Sequence, residues 1–387
     1  MNSPASPLTV AIACGGTGGH LLPGRAVAQA LEAAGVVPRL LVSRKKVDLQ
    51  LVRDLPPERV TALPAVAGGR RRGIACGWGL LQSLRQCRRT FRRWRPAAVL
   101  SMGGFASAAP VLMGRWHGAR VFLHEANAVA GRANRRLAWL AREAFVHFPS
   151  AAADLPTRHT RVVGMPVRDC FHPRPAAECR EALGLDPLRP TLLIMGGSQG
   201  AVFLNQAARE TLPLLLRREP RLQCIHLVGA TDDVEKTRAA YRARQCPARV
   251  EAFLAETHLA MSAADVAVSR AGASSLAELA ATRLPAVLVP YPHAADNHQH
   301  HNARRFSESG AARVLPQAEA TPERLAAEIL ALLTRPAARD AMRDALTRRH
   351  HPHAASVVAR HILNAIGGGR LAVTALPPAW AQPETRF

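Results

Sequence analysis

The chain has 387 residues, too many for one ordinary core, and 48% of them are hydrophobic, enough to fill two. Its 51 Lys and Arg against 28 Asp and Glu give a formal net charge of +23, which suits a polyanionic partner: nucleic acid, an anionic membrane or a phosphorylated substrate. A disulfide scaffold and a spanning protein are excluded, because the 7 cysteines form no C-x-x-C pair and no stretch approaches the ~20 apolar residues needed to cross a bilayer.

The opening Met1-Asn-Ser-Pro-Ala-Ser-Pro lacks the basic and apolar regions of a secretory leader, so a cytosolic or peripheral protein is expected. Leu8 to Cys14 is an apolar strand. Gly15-Gly16-Thr17-Gly18-Gly19-His20 follows, then a helix from about Leu22 to Ala33 and a strand from Val37 to Val42. This is the start of a doubly wound α/β domain. The glycine spacing is not G-x-G-x-x-G, and the second strand runs into Ser43-Arg44-Lys45-Lys46 with no acid to hold an adenosine ribose. NAD is therefore rejected. His20, after a glycine turn and before a helix, reads either as a general base or as a polar capping residue.

Between Glu58 and Glu125 there are twelve arginines and no acid. A helix from about Trp78 puts Leu81, Leu84 and Trp94 on a broad apolar side, with Arg85, Arg88, Arg89, Arg92 and Arg93 around it. Such a segment suits an anionic membrane surface; the alternative is an ordinary crossover helix with its apolar side in the core. With aromatic content at 4%, a base-stacking nucleic-acid surface is disfavoured.

Strands at Ala97 to Leu100 and Ala119 to Leu123 end in Ser101-Met102-Gly103-Gly104-Phe105 and His124-Glu125-Ala126-Asn127. In open α/β sheets that strand edge carries the ligand. Val162 to Arg168 and Phe171 to Pro175 read as a linker. Leu192 to Met195 then leads into Gly196-Gly197-Ser198-Gln199-Gly200-Ala201 and a helix, repeating the opening of the chain. Two facing Rossmann-like domains with a ligand cleft are expected: residues 1–168, residues 169–350, a helix 351–366 returning to the first domain, and a flexible tail 367–387.

The richest stretch is Ser269 to Ala303. A strand ends at Ser269, Arg270-Ala271-Gly272 turns, and Ala273 to Ala281 is a helix of small residues with Ser274 and Ser275 in its first turn, good positions for capping free N–H groups. Small side chains at a helix start admit a phosphate to the backbone. Glu278 reads as an acceptor for both hydroxyls of a ribose, or as a solvated crossover glutamate. The His298, His300, His301 group has no partner set for a metal, no D-x-D signature occurs, and no G-x-S-x-G nucleophile turn exists.

Six motifs occur in order: GGTGGH (15–20), GGF (103–105), HEAN with AG (124–131), GMPVR (164–168), GGSQGA (196–201) and the 269–303 run. Over residues 8–365 they resemble the peptidoglycan N-acetylglucosaminyltransferase family. The resemblance implies a GT-B glycosyltransferase fold. It implies inverting transfer of N-acetylglucosamine from UDP-N-acetylglucosamine to the 4-hydroxyl of undecaprenyl-pyrophosphoryl-N-acetylmuramyl-pentapeptide, the lipid I to lipid II step that serves the cell wall, cell shape and cell division. It also implies peripheral attachment to the cytoplasmic face of the bacterial inner membrane, no tightly bound cofactor, no metal, no nucleic acid, and cell-wall synthesis proteins as partners.

By the same resemblance, His20 is the base. The donor touches Thr17, Gly18, Gly19, Asn127, Arg168, Ser198, Ala273, Ser274, Ser275, Leu276, Ala277, Glu278 and Gln299, with Leu254 against the uracil and Asn297 as a second candidate for the transferred sugar. Gly15, Gly16, Gly103 and Gly104 cradle the acceptor diphosphate, and Trp78, Leu81, Arg85, Arg88, Arg89, Arg92 and Arg93 face the membrane. Met165, Ala126 and Ala271 to Ser275 depart from the usual family residues. The alternatives are a UDP-N-acetylglucosamine 2-epimerase, a GT-B transferase with another lipid acceptor, and a non-catalytic sugar-nucleotide or nucleic-acid binding protein.

Overall fold

Strands alternate with helices until three successive helices close the described residues, and central strands such as Thr9–Ala13 and Thr191–Met195 are buried along their whole length, the pattern of parallel sheets covered on both faces. The computed structural model describes residues 8–16, 18–64, 74–197, 200–230 and 232–367. It divides into two compact units, one up to Arg168 together with the segment from His351, the other Asp169–His350.

The first unit runs β1 (Thr9–Ala13), α1 (Gly18–Ala33), β2 (Val37–Ser43), α2 (Lys46–Gln50), β3 (Val60–Leu63), α3 (Ile74–Trp94), β4 (Ala98–Ser101), α4 (Ala108–Trp116), β5 (Arg120–Glu125), α5 (Arg132–Leu137), β6 (Glu143–Val146) and β7 (Thr160–Val162). These strands form one parallel sheet in the order β3-β2-β1-β4-β5-β6-β7. Alternation along β1 divides the core. Val10, Ile12 and Cys14 join Leu21, Val27 and Leu31 of α1, whereas Ala11 and Ala13 face Cys87 and Phe91 of α3. Small alanines on that side leave room for the Phe91 ring, which is fully buried.

The second unit runs α6 (Ala176–Ala182), β8 (Thr191–Met195), α7 (Val202–Arg218), β9 (Gln223–Leu227), α8 (Val234–Arg242), β10 (Ala248–Glu251), α9 (Thr257–Ala263), β11 (Val266–Ser269), α10 (Ala273–Thr282), β12 (Ala286–Leu288), α11 (His298–Glu308), β13 (Arg313–Val314), α12 (Pro322–Leu333) and α13 (Pro336–Arg349). Its sheet is also parallel, ordered β10-β9-β8-β11-β12-β13. The last helix, α14 (Ala354–Ala365), packs on α1 in the first unit through Val358, Ile362 and Leu363.

Each sheet reverses its direction of strand addition once. In the first sheet β1 gains β2 on one side and β4 on the other; in the second, β8 gains β9 and β11. The loops leaving such a strand pair diverge to opposite faces and open a crevice at the carboxyl edge.

Two local readings are corrected. The first helix begins at Gly18 rather than Leu22, so His20 lies in its first turn. On α3, Leu84 and Trp94 pack against the sheet but Leu81 is turned outward, because the inward stripe is Leu80, Leu84, Cys87, Phe91 and Trp94. On α10 the N-cap is Gly272, and Ser274 and Ser275 stand in the first turn, where the sequence places them. Strands β6 and β7 were not assigned from sequence, since four and three residues are too few to show a period.

Phe122 is fully buried and stacks on Phe145 with ring centroids 6.0 Å apart. Phe122→Ala is expected to destabilise the first unit by about 3–5 kcal/mol. Trp78, Trp94, Trp116 and Trp139 all lie in that unit, so denaturant unfolding followed by tryptophan fluorescence reads the loss.

Candidate functional site

The reversal point of the first sheet gathers three loops. The glycine turn after β1 is held from below by Asp48 of α2, a fully buried residue. Its Oδ2 accepts from the Gly16 N–H at 2.7 Å, the Ser43 N–H at 3.2 Å and the Ser43 hydroxyl at 2.6 Å. Lys45 Nζ donates to the Gly16 carbonyl at 2.7 Å from the other side. The turn lies so close to β2 that a Cβ on Gly15 would stand 2.3 Å from the Ser43 nitrogen, which only glycine avoids.

The turn after β4 brings Gly103 and Gly104 against His20. A Cβ on Gly104 would lie 3.1 Å from His20 Cε1 and 3.2 Å from Nδ1, and Gly104 has φ +77°. The imidazole therefore lies over this turn, in the first turn of α1.

The loop after β5 is organised by Glu125, which is 3% exposed. One carboxylate oxygen accepts from the Asn127 N–H and side-chain amide at 2.9 and 3.3 Å; the other accepts from the Gly131 N–H and Asn134 Nδ2, both at 2.9 Å. Asn134 Nδ2 also donates to the His124 carbonyl at 3.1 Å. Four donors on one buried carboxylate fix the loop that presents Asn127. His124 is fully buried, with Nε2 3.0 Å from the Gly164 carbonyl. Burial lowers its pKa to about 4 against the upward pull of that bond, and the neighbouring His20 lowers it further. Neutral above that range, His124 places no positive charge beside His20.

At the reversal point of the second sheet, α10 starts just past the end of β11. Ala273, Leu276 and Ala277 are buried, while Ser274, Ser275 and Glu278 are half-buried on one face of the helix. Gln299 ties two loops to this helix start: its Oε1 accepts from the Ala271 N–H at 3.2 Å and the Tyr291 N–H at 3.0 Å. These bonds fix the Gln299 side chain between the two loops. Asp296 and Asn297, with φ +50° and +53°, form a left-handed pair before α11, backbone strain of the kind stored at binding segments. Leu254 is buried in the loop after β10, its carbonyl accepting from Thr257 Oγ1 at 2.9 Å. Arg168, half-buried, is the last residue of the first unit's leading segment. Thr17 and Ser198, the loop before α3 and the segment from residue 368 lie outside the described residues.

The outward face of α3 carries exposed Arg85, Arg88, Arg89, Arg92 and Arg93 with Trp78 57% and Leu81 37% exposed. Two further exposed aromatics that sequence reading missed lie in the same unit: Trp116, 77% exposed at the end of α4, and Trp139, 69% exposed after α5. Helix α4 packs beside α3 and against the turn bearing Trp139. Single tryptophans at helix ends carry no periodic signal. Among the described residues no helix is long and apolar enough to cross a membrane, and no three His, Cys, Asp or Glu side chains group to hold a metal.

Residues 10–146 match the Glycosyltransferase family 28 N-terminal domain and residues 191–358 the Glycosyltransferase family 28 C-terminal domain. A relative from Alkalilimnicola ehrlichii, a UDP-N-acetylglucosamine--N-acetylmuramyl-(pentapeptide) pyrophosphoryl-undecaprenol N-acetylglucosamine transferase, is 38% identical over 358 residues, 91% of this chain and 98% of its own. The chain belongs to glycosyltransferase family 28. A transferase of the same description from Acidithiobacillus ferrooxidans is 39% identical over 367 residues, 93% of this chain and 98% of its own. The crystal structure of Acinetobacter baumannii MurG superposes with a TM-score of 0.71 at 28% identity, covering 92% of this chain and all of that one. The two parallel Rossmann-like sheets are those of the GT-B fold. A UDP-N-acetylglucosamine 2-epimerase also superposes, with a TM-score of 0.65 at 13% identity over 94% and 98% of the two chains, a likeness of fold alone.

Gly104→Ala tests the His20 arrangement. The added methyl meets the imidazole, and alanine is strained at φ +77°. We expect turnover to fall at least about tenfold, as for a displaced proton-transfer group, with nucleotide-sugar affinity unchanged by titration calorimetry.

Proposed function

We propose that this family 28 chain moves N-acetylglucosamine from UDP-N-acetylglucosamine to the muramyl 4-hydroxyl of lipid I, giving lipid II, with inversion at the anomeric carbon. What carries this reading is near-complete alignment, in both domains, with transferases described by that activity. The first unit takes the acceptor and the second takes the donor.

In the donor half, Glu278 accepts the ribose hydroxyls, the first turn of α10 receives the diphosphate, and the amide of Gln299 donates to the transferred sugar, with Asn297 beside it. Ala273, Ser274, Ser275, Leu276 and Ala277 supply close backbone approach, Leu254 stacks on the uracil, and Ser198, Arg168, Asn127, Thr17, Gly18 and Gly19 complete the contacts. In the acceptor half, Gly15, Gly16, Gly103 and Gly104 leave room for the acceptor diphosphate. His20 takes the proton from the attacking hydroxyl as the bond to the anomeric carbon forms and the bond to the leaving diphosphate breaks. The departing UDP gains negative charge, which the N–H groups and dipole at the start of α10 stabilise. No step needs a bound metal.

His20→Ala should lower transfer to a lipid I analogue by about 10²–10⁴-fold while radiolabelled UDP-N-acetylglucosamine still binds. Glu278→Ala should weaken donor binding at least about tenfold, since a hydrogen bond to a charged group is worth roughly 1.5–3 kcal/mol. Normal turnover in the first variant overturns the assignment of the base; unchanged donor affinity in the second overturns that of the ribose ligand.

The chain attaches peripherally to an anionic membrane through α3 and the exposed tryptophans beside it. Each basic side chain at such a surface contributes about 1 kcal/mol. A variant with Arg88, Arg89, Arg92 and Arg93 changed to Gln is expected to lose flotation with anionic vesicles; equal recovery of variant and wild type refutes the patch.

A further inference from the structure

The glycine turn after β1 has a cation at its rim. Strand β2 ends at Ser43, and Arg44, Lys45 and Lys46 follow, all three exposed. The ladder sets Ala13 beside Leu41, and the Cys14 N–H donates to the Leu41 carbonyl at 3.0 Å, so the chain leaving β2 passes the glycine turn. Lys45 reaches across to it: its Nζ donates to the Gly16 carbonyl at 2.7 Å. An ammonium has three N–H donors, and this bond uses one. Among the described residues, none of the three cations makes an ion pair.

The turn that anchors Lys45 is fixed and open. Asp48 Oδ2 takes the Gly16 N–H at 2.7 Å, so the Gly16 peptide is held at both ends, its N–H by a buried carboxylate and its carbonyl by the ammonium. Gly16 has φ +120°, and a Cβ built on it would meet nothing within 4 Å. The preceding peptide borders the His20 turn: a Cβ on Gly104 would lie 3.6 Å from the Gly15 carbonyl oxygen and 3.2 Å from His20 Nδ1. Neighbouring carbonyls of one turn thus lie against Gly104 and against Lys45.

We propose that Lys45 is a substrate-binding residue that donates to the acceptor's diphosphate across the open side of Gly16; this rests on the transferase reading and on the acceptor lying over the turn. The electrostatics of the turn call for such a cation. The Gly16 N–H is already spent on Asp48, and the Asp48 carboxylate beneath the turn repels a diphosphate above it. A positive charge at the rim offsets that repulsion. Lysine suits the place, as a point charge on a long stem, and its bonds to phosphate oxygens are charge-assisted. Lys45 moves no proton in the transfer.

The test compares the full chain with Lys45→Met, which keeps the stem and removes the charge, and Lys45→Arg, which keeps a charge. With a short-chain lipid I analogue, Lys45→Met is expected to raise the acceptor KM about tenfold, with kcat and the KM for UDP-N-acetylglucosamine little changed; Lys45→Arg recovers most of the loss. A lysine that only props the turn would displace His20 and lower kcat instead. An acceptor KM equal to that of wild type, or a loss confined to kcat, overturns the proposal. Calorimetric titration of inorganic pyrophosphate into each protein saturated with UDP reads the same contact without turnover. Wild type should bind it about tenfold more tightly than Lys45→Met; equal affinity, or no binding by either, overturns the assignment. No transfer by the wild type would refute the transferase reading, and the titration would still decide on Lys45.

Discussion

Both candidate sites depend on one constraint of parallel sheets. A strand that pairs on both sides with strands reached by opposite crossovers leaves a gap at its carboxyl edge, and the chain must fill or line that gap with loop. Strands β1 and β8 hold this position in the two units. The candidate residues sit in the loops and opening helix turns that follow β1, β4 and β5 in one unit and β11 and β12 in the other. The sheets fix where the strand ends stand; the loops need only carry suitable residues.

Those loops are held by buried charge rather than by apolar packing. Asp48 grips the glycine turn through the Gly16 N–H, and Glu125 collects four donors from Asn127, Gly131 and Asn134. A buried carboxylate without partners would be costly, so each one forces its donors into a single arrangement. In the second unit Gln299 does similar work with a neutral amide, tying Ala271 and Tyr291. The structure thereby separates side chains that hold loops from side chains offered to a ligand, a distinction of direct use in choosing variants.

Helix α3 has two unlike sides. Leu84, Cys87, Phe91 and Trp94 complete the core against Ala11, Ala13 and Val99, while five arginines occupy the outward side. The two readings of this segment, core crossover and surface-binding helix, are therefore compatible. The tryptophans at 116 and 139 are exposed on neighbouring elements.

The sequence by itself determined the α/β class, the doubling of the strand–glycine turn–helix unit, and the motifs that lead to the family. Apolar runs of four to seven residues between glycine turns admit few other folds, and a glycine turn must be encoded locally because it needs particular backbone angles. For His20 and Glu278 the residues alone left two readings each, a role toward a ligand and a structural one. The tertiary structure decided what depends on partners distant in the chain: that Asp48 holds Gly16, that Glu125 anchors the 127–134 loop, and that Leu81 faces out while Leu84 faces in. Each of these contacts is set by strand register and helix rotation, and neither quantity is written in any short stretch of residues.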